Sequence, residues 1–114
     1  SDKEVYDGIR KNIQDTKVKL IEGDNRMKPL YVEKGNLLVE KLMKVYRDQT
    51  GDVDSQPIII GGGTYARAME NAVAFGPMFP GQENVVHQKD EYISIDHLME
   101  LTKIYAQALY ELAK

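Results

Sequence analysis

Apolar residues recur along this chain with two different periods, and the changes of period divide it. Val5, Ile9 and Ile13 repeat every fourth residue with Tyr6 on the adjoining face, which predicts a short amphipathic helix ending near Gln14. Ser1 and Glu4 have capping-box spacing at its start. From Thr16 to Glu22 the period shortens to two. Val18 and Leu20 fall on one side and Lys17, Lys19 and Ile21 on the other, the pattern of a strand. Gly23-Asp24-Asn25 supplies turn chemistry and closes this unit. One helix and one strand are too small to bury a core, so they need partners from elsewhere. Arg26 to Gly35 is a connector holding Pro29, with Leu30-Tyr31-Val32 extended, and a domain boundary is expected there.

The helical period returns after Asn36, a favourable N-cap. Leu38, Leu42, Val45 and Tyr46 form the buried stripe, Lys41, Lys44, Arg47 and Asp48 face water, and Gly51 supplies the stop. Asp52 to Gln56 reads as a polar, solvated loop. Pro57 then opens Ile58-Ile59-Ile60, three β-branched residues in a row, as in a strand covered on both faces. A helix or single turn over Thr64 to Asn71 and a short buried strand, Ala72 to Phe75, follow the triple glycine. Gly76-Pro77 and Pro80-Gly81 break the chain into a loop running to about Tyr92. Ser94 or Asp96 caps a last helix whose stripe is Leu98, Leu101, Tyr105, Ala108, Leu109 and Leu112. Helices alternating with a doubly covered strand place the chain in the α/β class.

Composition narrows the function classes. The 114 residues make one ordinary domain or part of a larger one. Fifteen basic and eighteen acidic residues give a net charge of -3, without the concentrated basic surface that nucleic acid requires. No apolar run approaches the ~20 residues of a membrane span, and no signal-peptide pattern opens the chain. With no cysteine, neither a disulfide nor a thiolate metal site can form, which fits a cytoplasmic location. The opening Ser1-Asp2-Lys3-Glu4, lacking an initiator Met, fits a fragment or a processed chain.

Two stretches carry candidate chemistry. Gly61-Gly62-Gly63 after a strand invites a phosphate-loop reading, yet it lacks a Gly-Lys-Ser/Thr ending and does not fit Gly-x-Gly-x-x-Gly. A tight turn is the plain alternative. Thr64 and Arg67 can each present a polar group to a ligand carboxylate or carbonyl. The second stretch is His87, between Val85-Val86 and Gln88-Lys89-Asp90-Glu91. Most lone loop histidines are surface residues, but a neutral imidazole with a carboxylate behind it is also a common zinc ligand. His97, at the start of the last helix, is expected to face solvent.

Taken together, Ile60-Gly61-Gly62-Gly63-Thr64-Tyr65-Ala66-Arg67, Ala72 to Gly76, Met78-Phe79-Pro80-Gly81, His87-Gln88 and Asp90-Glu91-Tyr92-Ile93 resemble one end of a known enzyme family. These are the bacterial di-zinc dipeptidases of the PepV type, relatives of carnosinases and aminoacylases. The resemblance covers residues 30–114; the first 24 residues match less distinctively. It implies the C-terminal portion of a zinc-peptidase-like αβα sandwich, preceded by the last helix–strand unit of a ferredoxin-like lid. Residues 1–25 would end the lid, 26–35 would cross between domains, and 36–114 would close the catalytic domain.

The resemblance further implies that His87 is a zinc ligand and that Gly61, Gly62, Gly63 and Thr64 line the substrate pocket, with Arg67 beside them. Asp90 or Glu91 would orient His87 from behind. The implied chemistry is metal-assisted hydrolysis of a dipeptide by two zinc ions, or manganese in their place. This chain lacks the family's earlier metal ligands, its general-base glutamate and its lid histidine. The isolated residues are therefore expected to be inactive and to hold no metal tightly, needing the remaining segments of a parent enzyme. Two other readings stand beside this one. The first is a non-catalytic binding module that assembles with further copies of itself. A nucleotide-binding module is the more distant one.

Overall fold

In the computed structural model, residues 2–23 and 29–114 are described. They form helix α1 (Asp2–Ile13), helix α2 (Leu37–Thr50), a 3-10 turn over Tyr65–Ala68 and helix α3 (Ile95–Ala113). Ser1 of the expected capping box, and Asp24 and Asn25 of the expected turn, lie outside the described residues, as does the start of the connector.

Helix α1 obeys its local signals and stops there. Thr16 ends it by donating both its backbone N–H and its hydroxyl to the Ile13 carbonyl, at 2.9 and 2.8 Å. Arg10 pairs with Asp7 at 2.8 Å and also with Glu22 across the turn. Such solvent-exposed ion pairs stabilise by only about 0–1 kcal/mol. None of its residues is buried, and Val5 is 61% exposed. Tyr6 and Ile13 are half-buried, and the rest of its stripe is exposed.

Helices α2 and α3 are the pair that packs. Asn36 caps α2, its side-chain oxygen accepting from the Leu38 N–H at 2.9 Å. Gly51 ends the helix at φ 74°, a left-handed conformation that suits glycine. Leu42, Val45, Ile104 and Ala108 form the core cluster, with Leu38, Val73, Phe75 and Phe79 against it. Lys41 reaches across to donate to the Glu111 carbonyl at 2.8 Å, tying the first turns of α2 to the last turn of α3.

The α3 stripe differs from the expected one. Ile104 is buried, whereas Leu98, Leu109 and Leu112 point outward at 51, 70 and 41% exposure. This helix is apolar on more than one side, and α2 covers a single face of it. The other face is left open.

Among the described residues there is no strand. The strands expected over Thr16 to Glu22, Ile58 to Ile60 and Ala72 to Phe75 are irregular instead. The reason is that a strand exists only against a partner whose N–H and C=O groups complete its ladder. Ile58 and Ile59, expected to be covered on both faces, are 82 and 101% exposed. The chain as a whole exposes 9971 Å² for its 13.0 kDa, against about 6,300 Å² for a compact monomer of that mass. Its radius of gyration is 19.1 Å, where about 13 Å is ordinary for this length.

The loop after α2 is exposed over most of its length, as its composition suggests, yet it is internally bonded. Asp52 accepts from the Ser55 hydroxyl at 2.5 Å, the Tyr46 hydroxyl at 2.7 Å, and the Ser55 and Asp54 N–H groups at 3.0 and 3.1 Å. Those bonds, the Ser55 hydroxyl foremost, lower its pKa from 3.8 to about 2. Burial, and then the bond to Asp52, push the Tyr46 phenol up. The loop leading to Ile58 is thereby fixed to α2.

Two outcomes are expected. Ile104→Ala should cost about 2–4 kcal/mol and melt the helix pair, whereas Ile59→Ala should change stability by less than about 0.5 kcal/mol. Urea unfolding followed by helical circular dichroism checks both, and equal effects would contradict the packing. For Asp52, the folded pKa lies below the unfolded one, so its stabilisation is present above pH 4 and lost as pH falls toward 2. The difference in Tm between the wild-type chain and Asp52→Asn should be constant from neutral pH to about 4 and shrink below that.

Candidate functional site

The glycine stretch is a turn without a strand before it. Gly62 sits at φ 98°, a conformation open to glycine and costly for other residues. Thr64 follows in an extended conformation (φ -128°, ψ 159°) and caps the 3-10 turn. Its hydroxyl oxygen accepts from the Ala66 N–H at 3.2 Å, and its carbonyl accepts from the Arg67 N–H at 3.1 Å. The capping bond still leaves the Thr64 hydroxyl proton able to donate. Arg67 folds back over the turn: a Cβ added at Gly63 would lie 3.3 Å from its Nη1. Gly63, Thr64 and Arg67 are therefore together. A phosphate-binding loop needs a strand feeding it and a true helix beyond, and neither is present here.

The His87 segment is a second tight turn. Gln88 donates its N–H to the Val85 carbonyl at 3.1 Å, and His87 itself is left-handed at φ 61°. Its imidazole is exposed. Glu91, expected behind the ring, instead accepts from the His87 backbone N–H at 3.2 Å. It fixes the turn rather than the imidazole's tautomer. Asp90 is also left-handed at φ 61° and lies 3.8 Å from Lys89, with both side chains exposed.

A metal ion needs several converging donors, and among the described residues no group of three or more His, Asp or Glu stands close enough to hold one. His87 offers a single imidazole. Among the described residues, the donors near His87 do not by themselves fit a metal site. Two open hollows of about 330 and 350 Å³ mark the surface. One is lined by Glu40, Lys41, Lys44, Arg47 and Asp48; the other runs along residues 30–36 with Asn71 and Ala72. Neither is bordered by the glycine turn or by His87.

His97 was expected to face solvent and does not. It is half-buried, 4.9 Å from the Phe79 ring centroid, with both ring nitrogens engaged. Nothing in the local sequence marks it, because its partners Pro77 and Gln82 come from the preceding loop.

A model of peptidase family M20/M25/M40 matches residues 5–111. "Putative dipeptidase YtjP" of Bacillus subtilis is 55% identical over 87 residues, covering 76% of this chain and 19% of that protein. SH1171 of Staphylococcus haemolyticus, which carries the same description, is 51% identical over 84 residues, covering 74% of this chain and 18% of its own. SSP1012 of Staphylococcus saprophyticus, so described as well, is 48% identical over 92 residues, covering 81% and 19%. The chain thus spans about a fifth of the length of the curated relatives it matches. No solved structure matches it.

Proposed function

This chain belongs to peptidase family M20/M25/M40, and from that premise we propose that it is one segment of a metal-dependent dipeptidase that hydrolyses the peptide bond of dipeptides. The observation that carries the proposal is the match along nearly the whole chain to a family of peptidases, together with close relatives whose names describe dipeptidases. In this reading the chain belongs to an α/β zinc-peptidase architecture. Residues 36–114 close the catalytic domain, 26–35 cross to it, and 1–25 end a lid. An open apolar face on α3, an exposed Ile58–Ile60 stretch and an α1 with no fully buried residue support a piece whose neighbours lie in the rest of such an enzyme.

His87 would supply one ligand to zinc, or to manganese in its place, with the other donors drawn from outside these residues. Gly61, Gly62, Gly63 and Thr64 would form a wall of the substrate pocket. There the left-handed Gly62 and the Thr64 hydroxyl would put small polar groups beside a dipeptide, with the Arg67 guanidinium next to them. Glu91, through the His87 N–H, and Asp90 would hold the ligand's turn in place. With the other metal ligands drawn from outside these residues, the isolated chain would be inactive. A cytoplasmic location is part of this reading; among the described residues no helix is long and apolar enough to cross a membrane.

The test uses the full reading frame that carries this sequence, assayed for dipeptide hydrolysis with zinc or manganese. The wild-type protein should turn over, and His87→Ala should lose about 100-fold or more of kcat/KM along with bound metal. The isolated 114-residue chain should show no turnover. Unimpaired hydrolysis in His87→Ala would refute the ligand assignment, and absence of hydrolysis in the wild type would refute the dipeptidase reading.

A further inference from the structure

The hydrogen bonds around His97 select the tautomer of its neutral ring. The Phe79 backbone N–H lies 3.0 Å from the Gln82 Oε1. An N–H can only donate, so the oxygen end of the Gln82 amide belongs there and its NH2 points the other way. That NH2 lies 3.0 Å from the His97 Nδ1 and also can only donate, so Nδ1 must accept and carries no proton. On the far side of the ring, Nε2 is 2.7 Å from the Pro77 carbonyl oxygen, which can only accept, so Nε2 must carry the proton. The two sides of the ring demand the same species, a neutral imidazole with its hydrogen on Nε2.

We infer that His97, in that one form, is the positioning residue for residues 77–82, the bend from which the chain runs on to His87. The ring ties both ends of the bend to α3, at Pro77 and at Gln82, while its face lies against Phe79 between them. Within the bend itself, the Gln82 N–H reaches the Phe79 carbonyl at 3.3 Å. Protonation puts a hydrogen on Nδ1 facing the Gln82 NH2. Turning the amide over removes that clash but sets its NH2 against the Phe79 N–H. Either way one hydrogen bond is lost, so the bend is released as the ring gains its proton.

No other ionisable group is set to do this. Residues 76–82 carry none. Helix α2 contributes the Tyr46 phenol, whose ring stacks on the Phe79 ring at 6.4 Å. Helix α3 carries Asp96, Glu100, which accepts from Lys103 at 2.7 Å, and Tyr105, whose hydroxyl donates to the Phe75 carbonyl at 3.1 Å just before the bend and not within it. Any consequence for catalysis rests on the dipeptidase reading; the clamp does not.

The experiment is a pH titration of the labelled 114-residue chain by nuclear magnetic resonance. The chain has two histidines, so the ring nitrogens give two sets of signals, told apart with His97→Gln, and exposed His87 serves as the internal reference. Above its titration, His97 should show the pattern of a fixed Nε2–H tautomer. As its ring takes up a proton, one of the two bonds at the Gln82 side chain should be lost, read as about fivefold lower protection of either the Phe79 amide or the Gln82 side-chain NH2. The signals of residues 77–82 should move together with those of the His97 ring. His97→Gln, which keeps a donor toward Pro77, should abolish the pH step, and His97→Ala should leave Phe79 poorly protected at every pH. A His97 ring averaging between tautomers would overturn the proposal. So would a ring that takes up its proton without moving either the Phe79 amide or the Gln82 side-chain NH2, or unchanged protection in His97→Ala. Because no activity is measured, either result leaves the dipeptidase reading standing or falling by its own assay.

Discussion

The contact between Val45 on α2 and Ile104 on α3, at 1 and 2% exposure the two most deeply buried large side chains among the described residues, is what the ordered parts depend on. Ala108 and Leu42 extend it along the helices. Tyr46, one residue beyond Val45, carries the effect outward in two directions. Its hydroxyl holds Asp52, which sets how the chain leaves α2 toward the glycine turn, and its ring lies on Phe79, whose neighbour His97 sets the bend before His87. Both segments that carry candidate chemistry are thus anchored to one small helix pair.

That helix pair satisfies its own needs and few others. The backbone from Pro57 to Ile60 has the composition of a core strand and no ladder to join, so its isoleucines stand in water. The left-handed His87 turn is well formed, yet among the described residues no group of donors converges on the imidazole. Uncovered apolar surface and an incomplete donor set have one explanation in a segment of a larger peptidase. Each shortfall is then a surface where the rest of that enzyme would sit.

Local chemistry was legible and partnered chemistry was not. Asn36, Gly51 and Ser94 each mark a helix end with the groups within a turn of them, and each does so in the structure. The Ile58–Ile60 strand failed because its existence is decided by residues it pairs with. Ile104 was missed since α3 is apolar on more than one face, and periodicity alone does not say which face α2 will meet. The hubs at Asp52 and His97 are built from residue types that usually face water, drawn together by loops of different origin. At the candidate site, the glycine run announced a turn, while the fold of Arg67 over Gly63 and the reach of Glu91 to a backbone N–H rather than to an imidazole had no sequence signal. Family resemblance, carried by spacing over residues 30–114, supplied what local patterns did not.

The most direct measurement is amide hydrogen exchange at Ile58, Ile59 and Ile60, compared between the isolated chain and the full reading frame that contains it. If the chain is a segment completed by the remainder of a peptidase, these amides should exchange almost freely in the isolated chain and become strongly protected in the full protein, as in a paired strand. Equal, unprotected exchange in both would contradict that claim, as would protection already present in the chain alone.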